Sequence, residues 1–161
     1  MSRITVHAPA SFRNLRGFTT LEVMVALAVL GVMAMMAAGQ YGRYMERVRI
    51  ARAVMDIGAI ESYIGHYQAT NRVLPPTLDD LKVSLPLDPW GRPYAYVNHD
   101  TSPPGQFRKD KNIVPINTDY DLYSVGPDGA SVAPLTAAPS RDDIVRANDG
   151  RFIGSVPDYD P

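Results

Sequence analysis

Two sets of carboxylates in this sequence are placed where they could do chemistry. The first is Glu22 alone, which stands at the head of 23–39, seventeen positions without a polar side chain. Inserting a carboxylate into such a run costs on the order of 2.5–3.5 kcal/mol, taking Asp as the guide. A partner charge would offset that cost, and an isolated secretory signal would gain nothing from the acid. The second set is Asp128, Asp142 and Asp143, in Pro-, Gly- and Ser-rich sequence. Hard oxygen donors on a loop suit Ca²⁺, which takes about 6–8 oxygen ligands. The spacing is not that of an EF-hand. The bland alternative is a solvated acidic loop in which Asp142 and Asp143 cap a helix beginning near Ile144.

Other chemistries lack their residues. There is no Cys, and none of the three His (His7, His66, His99) pairs at metal-ligand spacing. Asp79 and Asp80 are neighbours, which point different ways on a helix or a strand. No phosphate-binding Gly loop, H-E-x-x-H or Ser/His/Asp context occurs. The expectation is a protein that is not an enzyme. With 16 Lys and Arg against 17 Asp and Glu, no nucleic-acid partner is expected either.

The elements that must position these residues follow from composition. The length of 161 residues suits one domain. Thirteen of the fourteen prolines lie after Thr70, and none lies between Ala10 and Leu74. The first part can therefore be one unbroken helix, and the second cannot. Residues 1–17 carry Arg3, Arg13 and Arg16 and no acid. The apolar run 23–39 spans roughly 26 Å as a helix, close to a bilayer core. The basic leader then stays cytoplasmic and the rest faces outward. Three readings compete for this segment: a secretory signal cut near Ala37 and Ala38, a plain signal anchor, and a membrane helix whose Glu22 meets a partner charge.

Beyond it, Ile50, Ala53, Ile57, Ile60, Ile64 and Tyr67 recur at spacings of 3 and 4, an apolar helical stripe. It predicts packing onto the downstream part, with a coiled coil as the alternative. Arg43, Glu46, Arg47, Arg49 and Arg52 fall between or before these positions, as a solvated face or a contact to acidic neighbours. A helix from Phe18 to about Ala69 would be roughly 78 Å long. Thr77 and Asp80 have the spacing of a capping box. Strands are predicted at 94–97 and 120–125 from their alternation, and Pro103-Pro104-Gly105 marks a turn between them. Trp90 is read as core. The fold class is α+β: a long N-terminal helix on a small antiparallel sheet, with a C-terminal loop region.

Arg16-Gly17-Phe18-Thr19-Thr20-Leu21-Glu22 resembles the processing motif of type IV prepilins and type II secretion pseudopilins, and Leu30-Gly31-Val32 matches a Leu-Gly-Val of many members. The resemblance implies cleavage between Gly17 and Phe18 by a prepilin peptidase, N-methylation of Phe18, and pairing of Glu22 with the free amine of a neighbouring subunit. Gly39 stands where many members have Pro, so the backbone donor lost there is kept here. Asp88-Pro89-Trp90-Gly91-x-Pro93-Tyr94 and Tyr120-Asp121-Leu122-Tyr123-Ser124-Val125-Gly126-Pro127-Asp128-Gly129 resemble the major, G-type pseudopilin. The resemblance covers most of 16–144.

From it follow a leader at 1–17, a transmembrane and assembly segment at 18–39 and a periplasmic domain at 40–161. The last divides into a helix at 40–70, a loop and sheet at 71–129, and an acidic loop with a C-terminal extension at 130–161. The implied protein sits in the bacterial inner membrane. It polymerises with itself into a periplasmic pseudopilus that drives protein export, alongside minor pseudopilins, an inner-membrane assembly platform and membrane lipid. A type IV pilus subunit is the alternative, disfavoured by the lack of Cys, and a secreted periplasmic binding domain is the other. The resemblance also implies calcium, held by the Val125 carbonyl and the side chains of Asp128, Asp142 and Asp143. The stretch 130–141 departs from the shorter Gly- and Glu-rich loop of typical members.

Overall fold

The computed structural model describes residues 17–111 and 114–160. The leader predicted at 1–17 lies outside them except for Gly17. The chain divides between Gly42 and Arg43 into two units. Helix α1 (Thr20–Asn71) begins in the first and ends in the second. Gly39 does not break it, and nothing lies within 4 Å of where its Cβ would be.

In the first unit α1 exposes its apolar side chains, among them Leu21, Met24, Leu27, Leu30, Met33 and Met36. It is the one helix among the described residues long and apolar enough to cross a membrane. Such a surface is left dry only by lipid or by other apolar helices.

The second unit is built on the predicted stripe. Ala53, Ile57, Ile60 and Ile64 of α1 are fully buried. They pack with Leu74, Tyr94, Tyr120, Leu122 and Ile144, while Ile50 and Trp90 border the cluster. Thr77 and Asp80 form the expected capping box, starting a 3₁₀ turn at Leu78–Leu81.

Six strands follow among the described residues: β1 (Ala95–Asn98), β2 (Lys109–Asp110), β3 (Val114–Pro115), β4 (Tyr120–Ser124), β5 (Ile144–Ala147) and β6 (Phe152–Ser155). β1, β4, β5 and β6 make one sheet in that order, every pair antiparallel. β2 and β3 form a separate two-stranded ribbon between the two predicted strands, after the turn read at 103–105. Both predicted strands are present, β1 one residue later than read.

Alternation along the strands gives the sheet two buried faces. Leu122 and Ile144 face α1, while Val145 and Ala147 join Ile116 and Leu135 in a second cluster bordered by Tyr123, Phe152, Val156 and Tyr159. The residues read as an extension are therefore part of the core. A helix beginning at Ile144 is corrected to a strand: a helix would turn Ile144 and Val145 away from one of the two clusters they fill. These β-branched residues also fit a pleated, two-sided position.

Two polar links tie α1 to the sheet. The Tyr94 hydroxyl donates to Asp56 at 3.0 Å, and burial followed by that acid pushes its pKa up. Arg146, 3% exposed, donates to Glu61 of α1 at 2.7 Å and to Asp119 at 2.8 and 2.9 Å, and lies 4.0 Å over the Tyr120 ring.

Candidate functional site

The N-terminal site is small and local. Residues 17–19 are not helical, and α1 starts at Thr20. The Thr19 hydroxyl accepts from the Glu22 backbone N–H at 3.2 Å. Thr19 and Glu22 thus hold the spacing of an N-cap and its acidic third residue. Glu22 is the acid of the first helical turn, where the helix dipole favours negative charge. None of the ion pairs among the described residues involves Glu22, and Phe18 is 84% exposed. Gly17, Phe18 and Glu22 are thus accessible together at one helix end, with the carboxylate open to a cation from outside the chain.

The second site is the loop from Val125 to Asp143. Its frame is set by the Asp-Pro-Trp-Gly motif. Asp88 is buried; one carboxylate oxygen accepts from the N–H groups of Trp90 (3.1 Å) and Arg92 (2.7 Å). Its other oxygen accepts from the Ser124 hydroxyl of β4 at 2.6 Å. Gly91, at φ +87°, turns the chain back so that its N–H reaches the Asp88 carbonyl. The motif thus places Arg92 beside the end of β4. Arg92 donates from Nη1 to the Gly126 carbonyl at 2.5 Å and from Nη2 to the Pro127 carbonyl at 3.3 Å.

The three predicted calcium-ligating side chains are each engaged within the loop. Asp128 accepts from the Ala130 N–H at 2.8 Å, and Asp142 accepts from the Asp128 N–H at 3.0 Å. Asp143 is fully buried, and its Oδ2 accepts from Nη2 of Arg108 and from the Ser131 hydroxyl at 2.7 Å. Burial pushes the Asp143 carboxyl above its ordinary range, while Arg108 and Ser131 pull it back. Among the described residues no group of three or more His, Asp or Glu side chains could hold a metal ion. Asp143 Oδ1 is buried without a partner, as a missing cation would leave it, but so is Arg108 Nε. Nε and Nη2 share one edge of the guanidinium, so a two-bond pairing with Asp143 would satisfy both. The residues present do not fit calcium as expected.

Arg108, Arg92 and Arg146 were not singled out by the sequence. Nothing in their local spacing marks them, because their partners lie tens of residues away.

The N-terminal stretch matches the prokaryotic N-terminal methylation motif over residues 12–38. A type II secretion system core protein G of Escherichia coli is 34% identical over 135 residues, 71% of this chain and 83% of that protein. The chain belongs to the core protein G family of type II secretion systems. The core protein G of Pectobacterium carotovorum is 32% identical, over 71% of this chain and 77% of its own length. That of Vibrio cholerae is 30% identical over 78% and 90%. No solved structure matches the chain significantly. Family membership accounts for the N-terminal site and for the long helix on a small antiparallel sheet.

Proposed function

We propose that this chain is a structural subunit of a periplasmic pseudopilus, trimmed after Gly17, N-methylated at Phe18, and polymerised through α1 to move proteins outward in type II secretion. The observation that carries the reading is the helix end itself. A carboxylate at Glu22 heads an exposed apolar helix, inside the stretch 12–38 that matches the methylation motif. Removing the leader would place a free amine at Phe18. In a bundle of such helices, the amine of one subunit is the cation that the carboxylate of the next requires. Helix packing then supplies most of the assembly energy and the ion pair sets the register. The core protein G relatives support the secretion system as the context. Prepilin peptidase, minor pseudopilins and an inner-membrane platform are the partners this reading calls for, with α1 anchored in the inner membrane and the second unit in the periplasm. The role is one of assembly, not catalysis.

The test is the intact mass and N-terminal peptide of the protein taken from membranes of a host with a prepilin peptidase. A peptide beginning at N-methyl-Phe18 is expected. A start near Gly39 in a soluble fraction would overturn the reading. Glu22→Ala should be processed yet fail to form filaments; filaments of normal yield would remove the register role.

A further inference from the structure

We propose that Arg92 and Arg108 fill in this chain the role that a divalent cation would fill in the loop at 125–143, so that the loop is ordered with no metal bound. An ion orders such a loop by gathering oxygens from separate stretches of backbone around one positive charge. Here two guanidiniums gather them. Arg92 takes the carbonyls of Gly126 and Pro127 at the start of the loop. Gly129 lies against it so closely that a Cβ there would come within 2.5 Å of the Arg92 Cζ. Arg108 is 1% exposed and takes the end of the loop. It donates from Nη1 to the Ser131 hydroxyl (2.5 Å) and the Val132 carbonyl (2.6 Å), from Nη2 to Asp143, and stands 4.4 Å over the Tyr123 ring.

The guanidinium suits this task because its donors are fixed in a plane and its charge is weakly hydrated, so burial with a carboxylate is tolerated. The rest of the loop is closed by neutral bonds. Ser140 accepts from the Val132 N–H and donates to the Val132 carbonyl. Lys109 of β2 exchanges backbone bonds with Ala133 and Leu135, and Leu135 is buried in the second cluster. The lengthened stretch 130–141 is what brings these partners within reach. A divalent ion would find Asp143 already paired with Arg108 and the Gly126 and Pro127 carbonyls already bonded to Arg92.

The experiment compares thermal unfolding of the full chain in detergent, with millimolar calcium and with a chelator. Midpoints within about 1 °C are expected. An ion held in hundredfold excess over its Kd would raise the midpoint by about 5–10 °C, and a rise of that size overturns the proposal. Trypsin cleavage after the exposed Arg141 reads the loop directly. Arg108→Gln should be cut several-fold faster than the wild type whether or not calcium is present. Where that variant does not fold, Arg92→Gln, whose partners lie nearer the surface, gives the same reading. A cleavage rate unchanged in the variant, or slowed by calcium in the wild type, also overturns the proposal.

Discussion

Replacing Arg146 by Met should loosen the grip of the sheet on α1. Met keeps most of the apolar stem packed against Tyr120 and removes the charge. Lost with it are one hydrogen bond to Glu61, two to Asp119 and one to the Tyr120 carbonyl at 3.2 Å. Truncating one partner of a buried ion pair typically costs about 3–5 kcal/mol. The carboxylates left behind have side chains 29% and 32% exposed, so water takes up much of their lost bonding. That places the change near the low end, about 3 kcal/mol. For a chain of this size each kcal/mol moves the midpoint by about 2–4 °C, so a drop of roughly 6–12 °C is expected. Thermal unfolding of the full chain in detergent, followed by far-UV circular dichroism, measures it. Arg146→Lys, which keeps charge but not the planar fork, should fall between the two. A midpoint for Arg146→Met within about 1 °C of wild type would refute the assignment of this side chain as the tie between helix and sheet.

Leu122→Ala, at a fully buried position facing α1, should lose about 2–5 kcal/mol in denaturant unfolding. Gly126→Ala should destabilise by at least about 1–3 kcal/mol by the same measurement, since the backbone there is at φ +65° and the new Cβ would stand 2.4 Å from the Asp142 carbonyl oxygen. The Thr118 N–H, with its hydroxyl, holds the Asp149 carboxyl below the ordinary value of 3.8. A depressed native pKa contributes stability that is present above 3.8 and is lost as pH falls below it. The midpoint advantage of wild type over Asp149→Asn should therefore shrink in acid, and a constant offset across pH would contradict that.

The helix and its two characters were legible because each rests on a periodicity within one stretch. The run at 23–39 has no polar break, and the stripe from Ile50 to Tyr67 keeps a 3,4 spacing. Thr77 and Asp80 read correctly for the same reason, since a capping box is local. β5 and β6 did not. Ile144-Val145-Arg146-Ala147 is buried throughout, so it shows no apolar–polar alternation, and Arg146 makes it look exposed. The site divided along the same line. Gly17, Phe18 and Glu22 are a contiguous motif. The surroundings of Asp143 depend on Arg108, 35 residues earlier, and no spacing rule joins the two. An acidic residue in a Pro- and Ser-rich stretch looks like a free donor until the chain supplies its own cation.

The sheet ends on β1 at one side and β6 at the other, each four residues long. An open strand is a template on which another copy could add itself through backbone hydrogen bonds. Edges this short offer only a few such bonds, and on the β6 side Pro157, which has no N–H to donate, follows the strand's end with one residue between. Copies held at high local density can therefore meet through their helices without their sheets fusing into a continuous ribbon. In the proposed filament, where identical copies would crowd together, that separates ordered stacking from aggregation.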